Sequence, residues 1–408
     1  MPRKKNIMRT RYGKVAKSSP TQYFWYRTTL DISSDINEPE TFNFSIAICL
    51  MIAWLLCYLC MIKGIASSGK VVYITATFPY LVLIIFFFRG ITLDGMEDGI
   101  KHLFTPDVSP IVYQYNQWSK LSDPVVWLEA GTQIFFSLGL GFGGLIAFSS
   151  YNPVHNDCYR DAIFVALTNC GTSMFAGIVV FSVMGFKANR IHEHCLEERN
   201  KLLLENAIST QFSLFNTTTI QPIIPECDLQ KELDKGASGT GLAFIVFTDA
   251  INQFPGISAF WSLLFFLMLF TLGKRIDSQF GTLEGAVTSI VDMKLFPNLR
   301  KEILTGAICL ISFFISLMFC NGSGNYIFTL FDDFAGNFPL LIVAFCECIA
   351  VSYVYGLKKF SDEIELMTGR RQTFNWRYIS PLTMATILIA SFIKLSGGSG
   401  YDAWNKET

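Results

Sequence analysis

Three acids, Asp277, Glu284 and Glu347, stand inside otherwise apolar stretches of this chain. A charge at mid-membrane depth costs roughly 2.5–3.5 kcal/mol on insertion scales, so each acid needs a partner. Asp277 precedes Ser278, and a carboxylate beside a hydroxyl offers hard oxygen ligands to a small cation such as sodium. Glu284 and Glu347 read first as structural acids, protonated or hydrogen-bonded between helices, with direct ligation as the alternative. The second group is Gly139, Gly141, Gly143 and Gly144, four glycines in six residues within an apolar stretch from Val125 to Phe148. Glycine in a helix interior costs roughly 0.5–1 kcal/mol relative to Ala, so this cluster marks a place where a helix unwinds. Unwound backbone is tolerated in a membrane only if buried in protein or facing a wet cavity. There its carbonyls and the half-helix ends can hold ions and a charged substrate. A glycine-rich helix-packing face fits the same spacing.

The elements that must position these groups are membrane spans. Of 408 residues, 51% are apolar, 15% aromatic and only 16% charged, against about 25% charged in soluble domains. Mean hydropathy is +0.38. The expected class is an all-α polytopic membrane protein embedded in a lipid bilayer. Spans are expected near 44–62, 71–88, 125–149, 162–185, 257–291, 303–320, 338–356 and 380–395, near the about 20 residues that cross the hydrocarbon core except for the fifth, which is long. The expected organisation is a basic disordered tail at 1–19, an extracellular loop remnant at 20–43, a transmembrane domain at 44–395 with a large outer loop at 186–256, and a C-terminal tail at 396–408.

Lys and Arg in the loops 63–70, 292–302 and 357–379 put those loops on the cytoplasmic side. The seven Lys/Arg residues before position 18 argue the other way for the N-terminus. No signal peptide is expected, because no apolar stretch follows the basic start within the usual window. Sequons at Asn43, Asn216 and Asn321 fall on the outer side, with Asn216 the expected glycan site. Cys195 and Cys227 share the oxidising-side loop and either pair or stay free. Most of the 11 Cys lie in apolar stretches and serve as small apolar residues, the Cys57/Cys60 pair included. No metal-ligand spacing and no nucleophile–base pair stands out, so no enzyme activity and no cofactor are expected. A net charge of −1 makes no case for nucleic acid, and none is expected as a partner.

Five motifs in order resemble the sodium- and chloride-dependent neurotransmitter symporters, in their neutral amino acid branch. They are Gly69–Tyr80 (GKVVYITATFPY), Phe135–Gly143 (FFSLGLGFG), Ser150–Asp161 (SYNPVHNDCYRD), Gly239–Thr248 (GTGLAFIVFT) and Asp277–Gly285 (DSQFGTLEG). Together the resemblance covers about residues 20–404. It implies a partial LeuT-like fold, a broken-helix inverted repeat, with about eight spans matching the family's helices four to eleven.

The resemblance also implies roles. Ser137 and Asn169 would take part in a first sodium site. Leu272, through its carbonyl, with Asp277 and Ser278, would form a second. Gln133, Ser137, Asn169 and Ser173 match chloride-site positions. Phe136, Gly139 and Phe142 would line the substrate pocket, with Asp332 as an outer-gate acid and Asp292 as an inner-gate acid. Lys274 and Arg275 look like an insertion. Two extra residues turn a helix by about 200°, so Leu272 and Asp277 would address one ion only through a bulge.

The implied function is sodium-coupled, chloride-associated symport of a neutral amino acid of branched-chain, Met or Pro type, by alternating access, at the plasma membrane or in intracellular vesicles. The family's first three helices and its twelfth have no counterpart here, so a truncated form without uptake of its own is expected. The alternative is a non-transporting membrane subunit, or an incomplete gene model, that only associates with full-length relatives as a homo- or hetero-oligomer.

Overall fold

A computed structural model describes residues 19–33, 36–37, 39, 41–62, 65–105, 124–212, 227–234, 240–273, 276–336, 338–369 and 378–396. Among them the secondary structure is helical, apart from one isolated bridge between Phe42 and Asn321. The described helices include α1 (Phe44–Met61), α2 (Ile65–Gly90), α3 (Met96–Phe104), α4 (Pro124–Leu138), α5 (Gly144–Ser149), α6 (Cys158–Phe212), α7 (Ser258–Gly273), α8 (Ile276–Asp292), α9 (Lys301–Ser316), α10 (Phe338–Ile349), α11 (Leu357–Thr368) and α12 (Ser380–Ser396).

Four helical stretches among the described residues are long and apolar enough to cross a membrane: Phe44–Met61, Cys158–Leu204, Lys301–Cys320 and Phe338–Thr368. Thr75–Gly90, Leu242–Asn252, Ser258–Thr271 and Ser380–Ile393 are shorter apolar helices. The stretch expected as one span at 125–149 is two helices, α4 and α5. Within the stretch at 257–291, helix is described over Ser258–Gly273 (α7) and Ile276–Asp292 (α8), on either side of residues 274–275, which lie outside the described residues.

α6 runs 55 residues, about 80 Å at 1.5 Å per residue, far beyond the span expected at 162–185. From Phe186 to Phe212 there is no Gly or Pro to stop it. Its polar side chains instead meet one turn apart, Arg190 pairing with Glu193 at 3.1 Å and His194 lying 3.9 Å from Glu198. The start of the expected outer loop is therefore helix.

The chain divides into two compact units. The first comprises Met1–Trp25, Pro79–Gln114 and Ser173–Met268. Its core is aromatic. Phe86 is 1% exposed and has ring neighbours Trp261 at 5.7 Å, Phe247 at 5.8 Å and Phe265 at 6.2 Å. Gly99 of α3 and Gly185 of α6 meet backbone to backbone. Arg89 Nη2 donates to the Pro255 carbonyl at 3.1 Å, and its guanidinium lies 5.8 Å from the Trp261 ring centroid. Lys187 and Asp249 pair at 2.9 Å.

The second unit comprises Tyr26–Phe78, Tyr115–Thr172 and Leu269–Thr408. Cys57 and Met61 of α1, Leu283 of α8 and Cys309 of α9 form one buried cluster, so these three helices meet. Phe135 of α4 packs with Leu341 and Ala344 of α10, and Met384, Ile387 and Leu388 of α12 pack against that cluster. The Asn43 side chain caps α1, accepting from the Ser45 and Ile46 amides at 3.1 and 3.2 Å. Its Nδ2 donates to the Thr29 carbonyl at 2.9 Å, so the amide of that sequon is committed to structure. α1 is apolar all round and exposes Phe44, Ile48, Leu55 and Leu59, the pattern of a helix solvated by lipid.

Candidate functional site

The centre of the site is the interruption between α4 and α5. α4 ends at Leu138, and Gly139, Gly141 and Gly143 adopt φ of 67°, 78° and 74°. That left-handed region is costly for residues with a Cβ, so three closely spaced glycines both end one helix and allow the next to start at Gly144. The Gly139 amide closes the first helix on the Phe136 carbonyl at 3.0 Å.

Two of the expected ligands meet here. Ser137 Oγ donates to Asn169 Oδ1 at 2.9 Å, linking the end of α4 to α6. Gln133 lies four residues before Ser137, on the same helical face, and is exposed. Ser173 lies four residues after Asn169 along α6, is also exposed, and belongs to the other compact unit. The Phe136 and Phe142 rings, on either side of the interruption, stand edge to face at 6.5 Å between centroids. A Cβ added to Gly139 would find nothing within 4 Å. The local chemistry is a hydroxyl and amide oxygens beside two rings: neutral hard ligands for a small cation and an apolar wall for a side chain.

Of the remaining ion-site and gate positions, only Asp332 and Asp292 have described side chains, on other elements. The side chains of Leu272, Asp277 and Ser278 lie outside the described residues, as do Lys274 and Arg275. Asp332 is exposed in the π-helical stretch Phe331–Gly336. Asp292 is the last residue of α8 and is exposed. Asn216 also lies outside the described residues. Cys195, on α6, is bonded to Cys227 with a Cα–Cα distance of 5.8 Å.

A second polar group was not apparent in the sequence. Glu284 of α8 is 4% exposed. Its Oε1 accepts from the Tyr151 hydroxyl at 2.9 Å and from Lys301 Nζ, at the start of α9, at 2.5 Å. Glu284 is thus the hydrogen-bonded acid between helices. Neither partner stands out in the sequence, where Lys301 falls in a basic loop and Tyr151 in a loop motif. Glu347 is half-buried on α10.

A profile of the sodium:neurotransmitter symporter family matches residues 2–406. The chain is 44% identical to mouse sodium-dependent neutral amino acid transporter B(0)AT2 over 423 residues, covering 96% of this chain and 56% of that protein. It is 44% identical to mouse sodium-dependent neutral amino acid transporter B(0)AT3, covering 98% of this chain and 67% of that protein. It is 43% identical to mouse B(0)AT1, covering 96% and 63%. The chain thus spans little more than half the length of the first of these relatives. Family membership makes it an integral membrane protein of a transport family with a LeuT-like fold, and not an enzyme. The chain belongs to the sodium:neurotransmitter symporter family.

Proposed function

We propose that the chain handles a neutral amino acid in a sodium-coupled symport cycle of alternating access, with the α4–α5 interruption as its substrate and ion centre. The observation that carries this reading is the Ser137 Oγ–Asn169 Oδ1 contact of 2.9 Å beside three left-handed glycines. Side-chain oxygens at an interrupted membrane helix suit sodium, and the nearby backbone suits a charged amino acid headgroup. Ser137 and Asn169 contribute to the first sodium site, and Leu272, Asp277 and Ser278 to the second. Gln133, Ser137, Asn169 and Ser173 contribute neutral donors to a chloride position. Phe136 and Phe142 flank the substrate side chain, and the open space at Gly139 favours a branched-chain, Met or Pro type. Asp332 and Asp292 act as outer and inner gate acids. The names of the relatives, all sodium-dependent neutral amino acid transporters, support the substrate class. The protein works at the plasma membrane or in vesicles, with a glycan on Asn216.

The test is accumulation of labelled leucine, methionine or proline in proteoliposomes carrying the purified chain, with sodium or choline outside. Sodium-dependent binding that Ser137→Ala or Asn169→Ala removes, without accumulation by the chain alone, is the expected result. Signals equal in choline and sodium overturn the reading. A second reading is favoured by the outward exposure of Phe164, Leu167 and Met174 on α6 and of Gln133 and Ile134 on α4. In it, the chain works only within a homo-oligomer or a complex with a full-length relative. Co-purification with such a relative, with uptake only in its presence, supports that arrangement.

A further inference from the structure

We infer that Gly281 and Gly285 of α8 are positioning residues for the half-helix α5, setting where the second half of the interrupted segment stands. The consequence for substrate handling rests on the reading above; the packing itself does not. A Cβ on Gly144 would lie 2.8 Å from the carbonyl carbon of Gly281 and 3.0 Å from its oxygen. One on Gly285 would lie 3.2 Å from the carbonyl carbon of Gly143 and 3.4 Å from the Gly144 nitrogen. One on Gly281 would meet Phe148 Cε2 at 2.9 Å. α5 and α8 therefore meet backbone to backbone, the close approach that small residues four apart allow between membrane helices.

α4 is seated elsewhere. Phe135 packs with Leu341 and Ala344, and Gly131 stands over Ile387. The two halves of the interrupted segment thus rest on different helices. The left-handed glycines between them impose no stiff connection, so continuity with α4 does not fix α5. The far end of α5 is held as well. Tyr151, two residues past Ser149, donates to Glu284, which lies between the two glycines of α8. Residues 281–285 accordingly grip α5 at both ends. Ala is the better helix former, so helix propensity favours Ala at 144, 281 and 285; the packing predicts the opposite sign.

The experiment uses the full chain in membranes with Ala147→Cys as reporter, because Ala147 on α5 is 5% exposed. The labelling rate with a small thiol reagent is read at that peptide by mass spectrometry. Overpacking this contact is expected to raise the rate about tenfold or more in Gly144→Ala and Gly285→Ala. Gly177→Ala on α6, whose Cβ would meet only Leu103 Cδ2 at 3.9 Å, is expected to leave it unchanged. Gly281→Ala is expected to raise it, and Phe148→Leu to restore it, since a ring edge is the obstruction; Phe148→Leu does not restore Gly144→Ala. Unchanged rates in Gly285→Ala, the milder overlap and the variant best able to fold, overturn the proposal. So does an equal rise in Gly177→Ala. Sodium-dependent leucine binding per folded chain is measured on the same variants and is expected to weaken about tenfold in Gly285→Ala. A shifted labelling rate in a chain whose parent shows no sodium-dependent binding leaves the positioning role standing and removes the transport reading alone.

Discussion

The Tyr151 hydroxyl donates to Glu284 Oε1 at 2.9 Å across 133 positions of sequence. Lys301 binds the same oxygen from α9, so one buried acid ties together the segment after α5, α8 and α9. Removing a partner from a buried charge is worth several kcal/mol when both groups are buried. The Lys301 side chain is 40% exposed, which lets water and salt repay part of the loss. Lys301→Met is therefore expected to destabilise the second unit by about 1–3 kcal/mol, and Tyr151→Phe by about 0.5–1.5 kcal/mol. Thermal unfolding in detergent, with Glu284→Gln as the crossing variant, reads the coupling. Additive effects for Lys301→Met and Glu284→Gln would mean that the two side chains do not act as a pair.

Ser137 and Asn169 are joined by a hydrogen bond open to the surface of their unit. Such a bond adds only about 0.5–1.5 kcal/mol to folding, so Ser137→Ala should express and melt nearly as the parent does. Its effect should fall on the ion. Losing one neutral oxygen ligand is expected to raise the sodium concentration for half-maximal leucine binding about tenfold, equivalent to ~1.4 kcal/mol. Ser137→Thr keeps the hydroxyl and is expected to stay near the parent. A sodium titration of labelled leucine binding decides; equal half-saturation for all three chains would remove Ser137 from the ion site.

What the sequence revealed follows a physical boundary. The interruption between Leu138 and Gly144 was legible because left-handed backbone demands glycine, and Gly139, Gly141 and Gly143 supply it. The acid at 284 was legible as needing a partner, but not which one. Tyr151 and Lys301 come from distant segments, and no local periodicity encodes a pairing across that separation. The length of α6 was hidden for another reason. Hydropathy falls after Gly185, which reads as leaving the membrane. Nothing from Phe186 to Phe212 breaks a helix, so the helix continues past the apolar part. The contact of Gly144 with Gly281 was invisible too, because each glycine alone looks like a flaw in a helix and only the fold shows the two flaws facing each other.

The Cys195–Cys227 bond closes a loop with a sequence separation of 32. In the chain-entropy account a loop of that size stabilises by roughly 3–4 kcal/mol. Cys227→Ser is expected to loosen the first unit around Cys195 of α6 without touching Ser137 or Glu284. Limited proteolysis under non-reducing conditions should show earlier cleavage between positions 195 and 227 in the variant. Equal cleavage rates would show that the bond constrains little.

Gly139 separates two effects that a substitution usually mixes. Its φ of 67° penalises a side chain, yet a Cβ there would find nothing within 4 Å. The cost of Gly139→Ala is therefore one of backbone conformation alone, about 1–2 kcal/mol. Asn enters the left-handed region more readily than other residues, so Gly139→Asn is expected to lose less stability than Gly139→Ala although it is larger, and Gly139→Val to lose most because a β-branched residue is least suited to that φ. The order Val, Ala, Asn in melting temperature, lowest first, is the expected reading. Substrate preference should follow size instead. Between the Phe136 and Phe142 rings, a polar side chain at 139 takes the open space, so Gly139→Ser should weaken competition by leucine or methionine more than by alanine. Competition curves against one labelled substrate measure this. An unchanged preference would place the bulky part of the substrate away from Gly139, even if the melting order held.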